Sequence, residues 1–251
     1  MHPLLFSFGP LRLYSYGLFV ATGVLAAILM IRRNARVSGL NPDISVDLAM
    51  TTVISGFTGA RIFYVIEFWD YFKNSPLDVL KIWQGGIVLY GGLMGGLLGF
   101  ILFIKLSKLS FLTMLDLFVP ATALAQGFGR LGCFMNGCCF GRSCDLPWAV
   151  KFSFLEAKVH PTQIYESIFC FLLAVFLYRL WKKKPAVGTV SFAYFTIYPV
   201  GRFIIEFFRG DSNRLFYLTP AQWVSIVFIV VSFAFWMIGN FYGKNRIERT
   251  R

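Results

Sequence analysis

LYSYGLFVATGVLAAILMIRR, residues 13–33, decides what kind of chain this is. A helix needs about 20 mostly apolar residues to cross the hydrocarbon core of a bilayer. Residues 13–31 supply such a run without one charged side chain, and Arg32 and Arg33 close it. Six more stretches repeat the pattern, at 47–68, 86–104, 112–128, 162–181, 188–208 and 220–240. The composition agrees: 57% of the 251 residues are hydrophobic, 18% aromatic and only 14% charged, outside the mix of a water-soluble domain. The reading is an all-α integral membrane protein of seven transmembrane helices. No linker or low-complexity segment interrupts residues 1–251, which are expected to form a single integral-membrane domain. The opening MHPLLFSFGPLRLYSYG lacks a basic region ahead of an apolar core and a small-residue cleavage site, so the first run is expected to stay in the mature protein.

The formal charge of +12 reports orientation rather than a nucleic-acid partner, because the basic residues cluster at the ends of apolar runs. Arg32, Arg33 and Arg36 follow the first run, Lys105 and Lys108 the third, and Arg179 and Lys182 to Lys184 close the fifth. Lys244, Arg246, Arg249 and Arg251 follow the seventh. All fall on one side if every run crosses once, and the positive-inside rule makes that side the cytoplasm. The N-terminus is then outward and the C-terminus inward. Residues 129–161 become an irregular extracytoplasmic segment between spans four and five, and Pro120 with Gly127, Gly129 and Gly132 is expected to break the fourth helix.

Charges inside apolar runs are costly unless paired or hydrated, so they mark candidate sites. Arg61 lies in the second run. Arg202, Glu206 and Arg209 lie in GRFIIEFFRGD, residues 201–211, at helical spacing that puts them on one stripe with Glu206 between two guanidiniums. They fit either a structural ion pair or a polar cavity for an anion. Arg130 and Arg142 favour the cavity, since more guanidiniums than carboxylates call for an anion, and a lipid phosphate is the nearest in a membrane. The run GGIVLYGGLMGGLLG, residues 85–99, serves either close helix packing or a ligand's approach to Gly91 and Gly92 beside Tyr90. In HPTQIYES, residues 160–167, Pro161 fits the first turn of a helix, and His160, Gln163 and Glu166 present a polar face. That face suits either a site or a helix end in water.

Cys133, Cys138, Cys139 and Cys144 lie in GRLGCFMNGCCFGRSC, residues 129–144, as C-x4-C-C-x4-C. This spacing departs from paired C-x2-C zinc motifs, so no metal is expected. A disulfide of Cys138 or Cys139 with Cys144, a reactive thiol and plain packing all stay open.

Taken in order, YGL at 16–18, GAR at 59–61, GGIVLYGGLMGG at 85–96, GRLGCFMNGCCFGR at 129–142, HPTQIYE at 160–166 and GRFIIEFFR at 201–209 resemble bacterial prolipoprotein diacylglyceryl transferases over nearly the whole chain. The resemblance implies an inner-membrane enzyme with its site toward the periplasm. Such an enzyme moves the diacylglyceryl group of phosphatidylglycerol to the lipobox cysteine of a prolipoprotein, forming a thioether and releasing glycerol phosphate. A transporter and a catalytically silent binding relative are the alternatives. Matching positions are Tyr16, Arg130, Asn136, Gly141, Arg202 and Glu206, with Arg130 similar to the family's lipid-binding arginine. Three positions depart from the family pattern: Tyr90 stands where it has His, Cys133 where it has Asn, and Cys138 where it has Glu.

On this reading Arg130 and Arg202 meet the charge on the departing phosphate, with Arg61 in support, and Asn136 and Gly141 lie at the head group. Glu206 orients the arginines. Tyr90 either takes the thiol proton or, with Tyr16, positions substrate. His160, Gln163 and Glu166 support the site. No cofactor is expected. The partners are the lipid, the prolipoprotein signal peptide and the bilayer.

Overall fold

The computed structural model describes residues 4–8, 11–81, 85–210 and 216–248. Each of the seven apolar runs is helical. A two-stranded antiparallel hairpin, β1 (Leu4–Phe8) and β2 (Leu11–Tyr14), precedes them, an element the sequence reading did not anticipate. The helices are α1 (Ser15–Val37), α2 (Pro42–Glu67), the short α3 (Trp69–Phe72), α4 (Leu89–Leu106), α5 (Phe111–Asn136), α6 (Thr162–Lys182), α7 (Thr189–Glu206) and α8 (Pro220–Glu248). Five of them, α1, α2, α4, α5 and α6, are long and apolar enough to cross a membrane. This makes the chain a multi-pass membrane protein. α7 falls short of that standard because Arg202 and Glu206 interrupt its apolar run, and in α8 the apolar stretch found is Pro220–Ala234. Arg249 and Arg251, counted above toward orientation, and Asp211 lie outside the described residues.

Two compact units are distinguished, Ile28–Met114 and Met1–Ala27 with Leu115–Arg251. In the first, α2 begins at Asn41, whose Oδ1 accepts from the backbone N–H groups of Asp43 (2.9 Å) and Ile44 (3.3 Å), and Pro42 fills the first turn. α2 then packs on α4 through small residues. A Cβ on Gly59 would strike the carbonyl of Gly91, and one on Gly56 would stand 3.2 Å from that of Gly92. The glycine run 85–99 is therefore a helix-packing surface, with Gly91 and Gly95 seated on Gly59 and Ser55.

The second unit has its core where Val119 and Ala123 of α5 meet Leu173, Ala174 and Leu177 of α6 and Val190 and Tyr194 of α7. Asp116, buried in α5, accepts from the backbone N–H groups of Gly188 (2.6 Å) and Ser191 (2.7 Å) and so caps α7. That places a carboxylate at the positive end of the helix dipole. Ser167 donates to the carbonyl of Gly127 at 2.9 Å, which ties α6 to α5.

α5 runs unbroken from Phe111 to Asn136, against the expectation that Pro120 and the glycines would end it early. Proline and glycine are tolerated in a membrane helix because water does not compete for its backbone and neighbouring helices fill the gaps. Gly127 admits the ring of Phe171 and Gly132 that of Tyr16, with a Cβ at Gly132 only 3.1 Å from the Tyr16 ring. The irregular segment begins after Asn136 instead. It is pinned by short backbone pairings, Gly141 with Arg209 and Val159 with both Ser143 and Val150, and packed around Phe152.

Candidate functional site

Three helices of the second unit bring five charged side chains into one chain of contacts. Arg130 of α5 places Nη2 3.0 Å from Oε1 of Glu166 on α6. Arg202 of α7 places Nε 3.9 Å from the same oxygen and Nη1 2.6 Å from Oε2 of Glu206, one turn further along its own helix. Arg209, just past the end of α7, approaches Glu206 at 3.7 Å. Tyr198 donates to Glu166 Oε1 at 3.1 Å. The two carboxylates are almost fully buried, at 4% and 2% side-chain exposure, whereas Arg130 keeps 24%. Among the described residues three guanidiniums meet two carboxylates, and Arg130 is the most accessible of the three.

Arg130 and Arg202 thus converge on one carboxylate oxygen. Glu166, expected only in support and on a face that could have met water, is the carboxylate that joins them. Tyr198 escaped the sequence reading altogether, since a tyrosine in an aromatic helix carries no signal of its own. The i, i+4 spacing of Arg202 and Glu206 was the legible part.

The other expected residues are spread more widely. Tyr16, in the first turn of α1, lies against Gly132, within electrostatic reach of Arg130 and of the thiols of Cys133, Cys138 and Cys139. Asn136 is the last residue of α5, with its side chain beside the Cys138 thiol. Gly141 is a point of close approach: a Cβ there would lie 2.6 Å from Cβ of His160 and 2.5 Å from the carbonyl of Phe208. Its part is to let two backbone segments meet. His160 packs its ring against Phe208, with Nδ1 3.2 Å from the hydroxyl of Tyr165, which accepts from Trp148 at 2.8 Å. Arg142 donates to the carbonyl of Arg209 at 3.1 Å.

Arg61 requires a correction. It is buried in the first unit and spends its donors on backbone carbonyls: Nε on Val79 (3.0 Å), Nη2 on Asp78 (2.8 Å), and Nη1 on Gly85 (2.6 Å) and Gly86 (3.0 Å). The rings of Tyr64 and Phe72 flank its guanidinium. It organises the connection between α3 and α4, and a guanidinium so engaged has little left for a phosphate. Tyr90, in the first turn of α4 and 63% exposed, makes no side-chain hydrogen bond or ring contact among the described residues.

The structure decides among the readings left open for the cysteines. All five are free, so the disulfide to Cys144 is not formed. The sulfur atoms of Cys133, Cys138 and Cys139 lie within 4.8 Å of one another, a grouping that the linear spacing conceals.

Fold and site together define a multi-pass membrane protein with an arginine-rich, partly neutralised polar centre held between its helices. Its relatives match it in sequence over most of its length. A family profile described as prolipoprotein diacylglyceryl transferase matches residues 3–238. The chain is 39% identical over 247 residues to the phosphatidylglycerol–prolipoprotein diacylglyceryl transferase of Clostridium tetani, covering 96% of this chain and 99% of that one. It is 35% identical to the corresponding transferase 2 of Clostridium perfringens over 240 residues, covering 93% and 94%. A Staphylococcus aureus transferase of the same name is 35% identical over 241 residues, covering 92% and 86%. The chain belongs to the prolipoprotein diacylglyceryl transferase family.

Proposed function

We propose that this protein transfers the diacylglyceryl group of phosphatidylglycerol to the lipobox cysteine thiol of prolipoproteins, forming a thioether and releasing glycerol phosphate. The observation that carries the reading is the Arg130–Glu166–Arg202–Glu206–Arg209 chain, in which Arg130 stays the most accessible guanidinium. Displacement at the glycerol carbon puts negative charge on a departing phosphate, and fixed guanidiniums in a low-dielectric site stabilise that charge without reorganising. Arg130, the more exposed, takes the phosphate; Arg202 adds a second cation; Glu166 and Glu206 hold both in place. Tyr16 and Asn136 border the head group. Tyr90 faces the lipid or the peptide, in a positioning role.

The family match includes residues of both compact units, and we read the chain as one transferase domain. All seven helical runs then cross the bacterial inner membrane, α7 and α8 included, with the N-terminus out, the C-terminus in and the site toward the periplasm. The basic residues that end α1, α4 and α6 support this orientation.

The test uses purified protein, phosphatidylglycerol labelled in its diacylglyceryl group, and a lipobox peptide. Label should appear on the peptide cysteine, and Arg130→Ala and Arg202→Ala should abolish it while the protein still inserts. Label that never leaves the lipid with wild-type protein would make this a silent binding relative. Near-normal transfer by either variant would remove that arginine from the phosphate clamp.

A further inference from the structure

The reaction proposed above needs the peptide thiol as thiolate, and Tyr90 has been given a positioning role. The three clustered cysteines offer another way to ionise it. Their grouping is built by the end of α5. Gly137, at φ +75°, ends the helix with two reversed hydrogen bonds: its own N–H reaches the carbonyl of Phe134 at 3.1 Å, and the N–H of Cys138 reaches that of Cys133 at 3.2 Å. This is the 6→1, 5→2 pair of a Schellman turn, and it folds Cys138 back over Cys133. Cys139 then adopts φ +64°, a left-handed conformation sparsely used by residues with a Cβ and often found at functional sites. Two residues opening α6 hold the turn there: Thr162 donates to the carbonyl of Cys139 at 2.8 Å and Gln163 to that of Cys138 at 2.6 Å.

Two further observations bear on a ligand. Gln163 is 1% exposed, and its Oε1 accepts no hydrogen bond among the described residues, so a buried acceptor beside the turn waits for a donor. The cluster also lies one helical turn beyond the Arg130–Glu166 contact, because Cys133 follows Arg130 by three positions on α5 and Gln163 precedes Glu166 by three on α6. At 1.5 Å per residue, Cys133 stands roughly 5 Å along α5 from Arg130, so the cluster and the arginines are neighbours.

We propose that Cys133, Cys138 and Cys139 hold one zinc ion through three thiolates, and that its open fourth position takes the sulfur of the lipobox cysteine. Zinc bound by three protein ligands with one open place is the catalytic arrangement, whereas a closed tetrad is structural. Tetrahedral thiolates at a Zn–S distance of about 2.3 Å have their sulfurs about 3.8 Å apart, so the cluster closes by roughly 1 Å, within reach of side-chain rotation. Three thiolates on Zn(II) carry a net charge of −1, and the guanidiniums of Arg130 and Arg209, both within electrostatic reach of the thiols, offset it. On coordination the peptide S–H yields its proton to water. The zinc-held sulfur forms its bond to the glycerol carbon as the C–O bond to the phosphate breaks. The electron pair leaves on the glycerol phosphate oxygen, which is protonated from water, and zinc remains Zn(II) throughout. The inference rests on the transferase reading for its substrate but not for its metal.

The experiment separates the two. Protein purified in detergent under reducing conditions is assayed for zinc by mass spectrometry, then loaded with Co(II) and followed by its sulfur-to-cobalt absorption. Wild type should bind one metal ion per chain, and Cys133→Ser, Cys138→Ser and Cys139→Ser should each weaken binding about tenfold or more. A lipobox peptide should shift the cobalt spectrum, and its Cys→Ser counterpart should leave it unchanged. Substoichiometric metal, a disulfide among the three thiols of the isolated protein, or a spectrum indifferent to the peptide overturns the proposal. Full transfer by metal-free wild type would do so too while leaving the transferase reading intact. A peptide-dependent spectral shift without transfer would support the site and remove the transferase reading.

Discussion

Glu166→Gln is the most searching test of the polar centre, because one carboxylate oxygen joins three side chains. Glu166 Oε1 accepts from Arg130 at 3.0 Å and from Tyr198 at 3.1 Å, with Arg202 at 3.9 Å, and the side chain is 4% exposed. Glutamine keeps an acceptor of the same shape but loses the charge. Hydrogen bonds to a charged group contribute about 1.5–3 kcal/mol, roughly twice a neutral one, so the two short bonds together lose about 2 kcal/mol. The buried cluster would also lose one negative charge from beside Arg130 and Arg202, which brings the total to about 3 kcal/mol. The consequence has a direction as well as a size. Arg130 loses the group that fixes its position, so kcat for transfer from phosphatidylglycerol should fall about 100-fold, the equivalent of about 2.7 kcal/mol in the barrier. KM for the lipid should hold or decrease, since the site has become more positive. The apparent thermal midpoint in detergent should drop, and phosphatidylglycerol should restore more of it in the variant than in wild type, because an anion now relieves the excess charge. A kcat within about threefold of wild type, or a raised KM at unchanged kcat, would refute the view that Glu166 sets the arginines for the transition state.

Four further outcomes follow from single contacts. Asp116→Asn replaces one of two carboxylate oxygens at the start of α7 with an NH2 group, and should cost about 1–2 kcal/mol in stability, read as a lower thermal midpoint. Gly59→Val drives a branched side chain into the carbonyl of Gly91 and should cost about 1–3 kcal/mol, seen as loss of folded protein after extraction; Met94→Ala, on an exposed position of the same helix pair, should behave as wild type. Arg61→Lys cannot span the four carbonyls that Arg61 binds, so trypsin should cut at Lys73 or Lys81 faster in the variant, with equal rates counting against the loop-holding role. In the same loop, hydrogen bonds from Lys81 and Tyr71 hold the Asp78 carboxyl below the usual carboxylate range. A depressed carboxyl contributes order above its unfolded value and loses it as pH falls through the folded one. Acid-stable protease cleavage between Tyr71 and Lys81 should therefore rise only once pH drops below the ordinary carboxylate value, and an unchanged rate there would dismiss the contact.

Much of this molecule is written in local pattern, and local pattern is what a sequence displays. The apolar runs located seven helices, because a membrane span must satisfy its own backbone and so declares itself by length and composition. Several helix ends lie five to eight residues from where the runs stop. The i, i+4 pairing of Arg202 with Glu206 was readable for the same reason, both groups lying on one helix. Relations between helices were another matter. Pro120 reads as a breaker, yet α5 continues because its neighbours occupy the space the glycines leave. Arg61 reads as a site charge, yet carbonyls far from it in sequence have taken its donors. Glu166 reads as a helix-end polar residue, and only the packing of α5, α6 and α7 makes it the partner of Arg130. The cysteines sit at a spacing unlike a metal motif, and it takes the reversed turn at Gly137 and the left-handed Cys139 to gather their sulfurs. Sequence alone determined the membrane class, the helices and the family resemblance, since each depends on periodicity, hydropathy or short motifs. Tertiary structure alone decided which charge meets which, since an ion pair or a thiol cluster is a fact of distance between segments, and distance between segments is set by how their surfaces fit.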